Sequence, residues 1–319
     1  MKKILFGRTN QLVSAISLGT WSHGGPNTSG NTPVGWTGYD EDLAYQALLK
    51  AWEIGINHWD TADVYGNGRS EQLIGRSWKT VRREDIFLAS KVGWFQGDYP
   101  HYYHPDLMRQ QLEQSLKNLC TEQIDLYYFH HCLFGKLGEL LDGAMETMLR
   151  FRDEGKIRYV GLSDWDLKKI MQVVDKINPD VIQPYRNVHD DAYQSSGLKD
   201  WVDANNAGAA FFSPLRHGLL TGKYTTPTEF PAGDFRSNVV EFGDANFIRR
   251  MQENKRLLEE KFADHTQPVL YGLTGALLSD APTGCVLLGQ RNPDQVAAVA
   301  ALGTSLSKED ARWVFDLYR

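Results

Sequence analysis

Residues 106–131, DLMRQQLEQSLKNLCTEQIDLYYFHH, change periodicity part-way along, and that change decides the fold. In Asp106–Leu119 the apolar residues Leu107, Leu112, Leu116 and Leu119 form one stripe, with Arg109, Gln110, Glu113 and Lys117 facing away from it. That is the pattern of an amphipathic helix packed on one side. Ile124–Phe129 is instead short and almost continuously apolar, as a strand buried on both faces of a parallel sheet is.

The same alternation extends in both directions. Strand-like runs occur at Ala15–Leu18, Ile56–Trp59, Ile86–Ala89, Ile124–Phe129, Tyr159–Leu162, Val181–Ile182, Ala209–Phe212 and Cys285–Leu288. Helical patterns lie between them, among them Leu43–Ile54, Leu137–Arg152, Leu167–Lys176 and Phe247–Phe262. Eight strands each followed by a helix predict an α/β fold, a (β/α)8 TIM barrel. A doubly wound sheet is the alternative, but Gly66-Asn67-Gly68 is only G-x-G and opens no dinucleotide fingerprint. Ahead of the barrel, Lys3–Phe6 and Val13–Leu18 flank a polar turn and predict an N-terminal β-hairpin.

The 319 residues carry no linker or charge block, so one domain over residues 1–319 is expected. A formal net charge of -6 argues against a nucleic-acid partner. Cys120, Cys132 and Cys285 have no C-x-x-C spacing and suggest reduced thiols in a cytoplasmic protein. Gly7, Arg8 and Asn10 interrupt the first apolar run too early for a signal peptide. No apolar run approaches the roughly 18 residues that span a membrane.

Two inserts, Ser22–Tyr39 after the first strand and Thr225–Asp244 after the seventh, are expected at the C-terminal mouth of the barrel. Polar residues close most strands: Asp60, Ser90-Lys91, His130-His131, Ser163-Asp164, Gln183 and Ser213. A barrel brings all of them to one mouth. Each has a plain alternative: Asp60 a turn cap, Tyr65 a packed aromatic, Lys91 a solvated strand end, His130 a hydrogen-bonded core histidine. Together, Asp60, Tyr65, Lys91 and His130 make an acid/base set. His131 points the other way along its strand and is expected to be structural. His101 and His104 lack a third convergent ligand, so no metal site is expected.

Gly55–Gly66, with its Asp60-Thr61-Ala62-Asp63-Val64-Tyr65-Gly66 core, resembles the signature of the aldo-keto reductase family. Phe87–Val92 resembles that family's lysine strand, and Ile124–His130 its histidine strand. Gly155–Ser163 and Ser213–Tyr224 extend the match. The resemblance implies a carbonyl–alcohol oxidoreductase in which Tyr65 is the general acid/base, Lys91 held by Asp60 stabilises its phenolate, and His130 orients the carbonyl. It further implies NADP(H) contacts from Gly19, Thr20, Trp21, Ser163, Asp164, Gln183, Arg186, Ser213, Pro214, Leu215, Gly218, Lys223, Gly289, Arg291 and Gln295. Trp21 and Trp94 are expected to line the substrate site.

Asn292 and Pro293 suit the cap and first turn of a helix whose N-terminus, with Arg291, would receive the adenosine phosphate. That segment is most similar to the version in voltage-gated potassium channel β-subunits, which leaves a slow-turnover regulatory or partner-binding protein as the alternative function. Three departures from the family pattern stand out. Asp164 stands where Asn is usual, and Arg186 where an aromatic is usual unless the register shifts by one to Tyr185. Ala298-Val299 stand where a Glu-Asn pair reads adenine. The first two departures suggest a coupled pair, with Arg186 stacked on the nicotinamide and balanced by Asp164.

Overall fold

The computed structural model describes residues 1–29, 32–95 and 97–319. Eight parallel strands close into a barrel in chain order: β1 (Ile16–Gly19), β2 (His58–Asp60), β3 (Phe87–Val92), β4 (Ile124–Phe129), β5 (Ile157–Asp164), β6 (Val181–Pro184), β7 (Gly208–Phe211) and β8 (Gly284–Gly289). Single helices α1 (Glu41–Glu53), α2 (Arg69–Ser77), α3 (Pro105–Asn118), α4 (Leu141–Asp153) and α5 (Leu167–Ile177) follow the first five strands. Later crossovers are doubled. Short α6 (Ala192–Ser195) and α7 (Leu198–Asn205) precede β7, and α8 (Ala245–Lys261) and α9 (Pro268–Leu278) precede β8. The chain then ends in α10 (Pro293–Ala298) and α11 (Lys308–Tyr318). Among the described residues no helix is long and apolar enough to cross a membrane.

Two expected boundaries shift for local reasons. Val13–Leu18, read as one hairpin strand, divides at buried Ala15: Leu12–Ser14 pairs antiparallel with Lys3–Leu5, while Ile16 begins β1. The helix expected from Leu137 starts at Leu141, because Gly135 and Gly138 take left-handed φ of 93° and 75°. The cap expected from Asn292 and Pro293 forms, and the Asn292 side chain accepts the Gln295 amide at 2.9 Å.

The two-residue alternation along each strand separates two cores. Outward residues such as Leu88, Tyr127, Phe129 and Leu162 pack beneath the helices. Inward residues, among them Ala89, Leu126, Tyr128, Ala210 and Leu287, fill the barrel with Phe6 and Val13 from the hairpin. Phe6 is fully buried against His58 and Phe87, at ring separations of 5.3 and 5.8 Å, and plugs the N-terminal end. Above this apolar filling the inward parity delivers Asp60 from β2, Lys91 from β3 and Gln183 from β6.

Tyr128 joins the two levels. Its ring lies against Gly161 of β5, where a Cβ would approach ring carbon to 2.2 Å, and the Lys91 ammonium is 5.9 Å from its centroid. Gly161→Ala is therefore expected to cost roughly 1–3 kcal/mol through overpacking. A lowered urea midpoint would register that cost, and an unchanged midpoint would mean that the ring moves aside freely.

Candidate active site

Tyr65 sits on the turn between β2 and α2, and that turn is fixed from several sides. The Tyr65 amide donates to Ala62 O at 3.1 Å, and Tyr65 O accepts from Ser70 N at 3.2 Å. Thr61 Oγ1 donates to Ser70 Oγ, which lies 2.8 Å from Thr20 Oγ1. Gly66, at φ 61°, passes so close to the β1 loop that a Cβ would meet Gly24 O at 2.1 Å. Behind the turn, buried Glu71 accepts from Ser90 Oγ at 2.7 Å and from Asn118 Nδ2 at 3.1 Å.

Lys91 is fully buried directly beneath this tyrosine. Its Nζ donates to Asp60 Oδ1 at 2.5 Å, to Thr61 O at 2.7 Å and to Tyr65 OH at 3.3 Å. Gln183 Nε2 donates to the second Asp60 oxygen at 2.7 Å. Burial pushes the Asp60 carboxyl upward against the pull of Lys91 and Gln183. For Lys91, burial works against the ammonium, but Asp60 and Tyr65 hold it above its ordinary value. Burial likewise raises the Tyr65 phenol, with Lys91 pulling down. His130 meets Tyr65 edge-on at 6.0 Å, and burial and Lys91 drive its pKa well below the usual imidazole range. The expected four residues thus form one contiguous group.

They form the floor at one end of a cavity of about 1060 Å³, which Asp60, Tyr65 and His130 line directly. Trp21 lies over Tyr65 at 6.2 Å, with its indole N–H spent on Val34 O at 2.9 Å. Trp94 packs edge-on to His130 at 6.1 Å. The other end of the cavity carries Lys223, Arg291 and Gln295.

The two inserts meet above the cavity. Fully buried Asp234 accepts from Thr37 N at 2.9 Å and Thr37 Oγ1 at 2.6 Å, while Phe235 N donates to Gly35 O at 2.8 Å. Asp234 also holds Arg236 at 2.6 and 2.8 Å. Residues 30 and 31 of the first insert lie outside the described residues.

A model of the aldo/keto reductase family matches residues 15–317. The chain belongs to that family. It is 30% identical over 327 residues, 98% of this chain and 96% of the relative, to the NADH-specific methylglyoxal reductase of Escherichia coli. It is 33% identical over 223 residues to the aldo-keto reductase yakc of Schizosaccharomyces pombe, whose name specifies NADP(+). That match covers 67% of this chain and 65% of the relative. The glycerol dehydrogenase of Gluconobacter oxydans superposes with a TM-score of 0.81 at 28% identity, covering 99% of this chain and 94% of that one.

Within this aldo/keto reductase barrel, Gly19, Trp21, Ser163, Gln183, Ser213, Pro214, Leu215, Gly218, Lys223, Gly289, Arg291 and Gln295 all border the cavity, as does Trp94. Thr20 lies just behind it, buried, with Oγ1 on Asp60 O at 2.9 Å. Asp164 and Arg186 do not pair. Asp164 follows inward Ser163 and so points away, accepting from Cys132 N at 2.7 Å and Asp166 N at 2.8 Å. Arg186 inserts between the rings of Tyr193 and Phe211, at 4.5 and 4.7 Å. There it meets Asp191 at 2.9 Å and Asp280 at 2.9 Å. The expected stacking of Arg186 at the mouth is thus replaced by a buried ion triad that ties the β6 loop to the end of α9.

Tyr185 instead faces Trp165 at 5.3 Å and Phe212 at 5.6 Å, and those two rings line the cavity. Sequence reasoning named neither, although Phe212 shares the inward parity of Ala210. His131 has structural work: its backbone N–H donates to Tyr103 OH at 3.1 Å, and its Nε2 faces Gly93 O at 2.5 Å. His101 Nδ1 accepts Tyr103 N at 3.1 Å, and His104 caps α3. Removing the guanidinium in Arg186→Ala leaves the Asp191 side chain, which is buried, facing a partly exposed Asp280 carboxylate, and is expected to cost about 3–5 kcal/mol. Urea unfolding reads this loss directly, and a cost below about 1 kcal/mol would mean that the triad is not structural.

Proposed function

We propose that the protein is an NADP(H)-dependent oxidoreductase that interconverts a carbonyl compound and an alcohol, with Tyr65 as general acid and base. One observation carries this: a buried ammonium lies 3.3 Å from a phenol on a cavity floor and is itself held by a carboxylate at 2.5 Å.

The cavity's two ends fit the proposed cofactor. Arg291 is half-buried, and its pKa is lowered by burial and by the charge of Arg236. Arg236 is already paired with Asp234, so Arg291 is the guanidinium at this end of the cavity suited to receive an anion such as the extra phosphate of NADP(H). Lys223 is suited to the pyrophosphate, and Phe212, beside Gln183 and Ser163, offers a flat ring to the nicotinamide. The nicotinamide, when bound, supplies or accepts the hydride.

The chain's own residues manage the proton. With its pKa raised, the Tyr65 phenol is fully protonated at neutral pH and holds the proton that a reduced carbonyl oxygen needs. Neutral His130 donates a hydrogen bond to that oxygen without competing for its charge. Lys91 stabilises the phenolate left behind, and Asp60 with Gln183 keeps Lys91 in place.

The sign of the Tyr65 shift sets the pH dependence. Carbonyl reduction is expected to be flat through neutral pH and to fall only as the phenol ionises, whereas alcohol oxidation rises toward alkaline pH. Tyr65→Phe is expected to lose about 100- to 10,000-fold in kcat, with cofactor quenching of tryptophan fluorescence retained. Turnover surviving in this variant would remove Tyr65 from the mechanism.

Arg291→Ala is expected to weaken NADPH roughly 10- to 100-fold and leave NADH unchanged, measured by the same quenching. Equal losses for both cofactors, or none, would contradict the preference for NADP(H).

A further inference from the structure

We infer that His217 recognises a hydroxyl of the substrate, so that the favoured carbonyl compound is uncharged and carries a hydroxyl beyond its reacting carbon. This rests on the proposed carbonyl–alcohol chemistry at Tyr65. Ring contacts locate His217 with respect to that phenol. Trp21 meets Tyr65 at 6.2 Å and His217 at 6.0 Å, so both rings border the same indole. Trp36 and Phe235 complete the group, at 5.7 and 5.0 Å from the imidazole. All five rings line the cavity. The backbone beneath His217 is one that glycine holds without strain: Arg216, His217 and Gly218 have φ of 44°, 60° and 85°. A histidine there keeps its ring in the cavity wall against the preference of its own backbone, and such strain collects at functional sites.

The polar atoms around Trp21 narrow the role. Its own indole N–H is taken by Val34 O. The Trp36 indole nitrogen is sealed in the protein, and Phe235 has no polar atom. Tyr65 OH serves the reacting oxygen. Among the described residues no hydrogen bond holds either imidazole nitrogen of His217, and neither nitrogen is sealed from solvent. Burial and the charges of Arg216 and Arg236 lower the His217 pKa to about 4, so the ring is neutral at pH 7. One nitrogen then donates and the other accepts, and a hydroxyl offers the same two capacities in return. An ionised substrate group finds no free counter-charge, because Arg216 is held by Glu241 and Arg236 by Asp234. The aromatic faces take the substrate's hydrocarbon.

The test follows oxidation of 1-alkanols and of the α,ω-diols of equal length, from propane-1,3-diol to hexane-1,6-diol, with NADP+. At one chain length the wild-type protein is expected to favour the diol about tenfold in kcat/KM, the worth of one hydrogen bond, mainly through KM. That length reports the span from Tyr65 to His217. In His217→Phe, which keeps a ring against Trp21, the ratio should fall to about twofold or less, the advantage of two equivalent hydroxyls without the hydrogen bond. His217→Asn suits the left-handed backbone and keeps a donor and an acceptor, so it should retain part of the preference. Wild-type protein with no diol preference at any length overturns the inference, as does a preference surviving in His217→Phe. Loss of NADP+ quenching of tryptophan fluorescence in His217→Phe also overturns it, because the imidazole would then serve the cofactor. If no alcohol of either series is oxidised, the carbonyl–alcohol reading fails as well; loss of the inference alone leaves alkanol oxidation intact.

Discussion

The contact between Lys91 and Asp60 is the constraint to which the rest of the mouth is fitted. Neither charge is tolerable alone at that depth, because burying an unpaired ammonium or carboxylate costs far more than any single packing contact returns. Together they are stable only because the remaining hydrogen-bonding positions are filled, by Thr61 O on the lysine and by the Gln183 amide on the aspartate. Those partners come from β2, β3 and β6, and β6 is a neighbour of neither β2 nor β3 in the sheet. A closed barrel brings them within a few ångströms, and an open sheet would leave β6 on the far side. Barrel closure and the electrostatics of the site are therefore one requirement.

The hydrophobic filling below makes that closure rigid. Phe6, Tyr128 and Leu126 set the height at which Lys91 emerges, and Gly161 makes room for the Tyr128 ring. Above, the turn carrying Tyr65 is braced against the β1 loop by Ser70, Thr20 and the close pass of Gly66 over Gly24. The phenol is thus positioned by contacts from elements on either side of it, and its distance to Lys91 does not depend on one flexible side chain.

Much of this was legible in the sequence, and the reason is physical. Buried parallel strands leave continuous apolar runs, and Ile124–Phe129 matches β4 residue for residue. The contiguous group of Asp60, Tyr65, Lys91 and His130 was legible because each member closes a strand or its following turn. Asp164 and Arg186 were not, because their roles depend on parity and on a distant partner. Asp280 lies 94 residues from Arg186, and nothing local announces that the two meet. Trp165 and Phe212 were missed for the opposite reason: an aromatic beside a strand end reads equally well as core, and only the closed barrel shows which ring faces the cavity. The loop residues Asp234 and Thr37 pair across 197 positions, beyond any local pattern.

The Phe6 plug at the bottom of the barrel has a consequence for traffic. With that end stoppered by a fully buried ring, traffic into the interior runs through the mouth at the C-terminal ends of the strands. Were two ligands to bind there at different depths, the deeper would have to enter first and leave last.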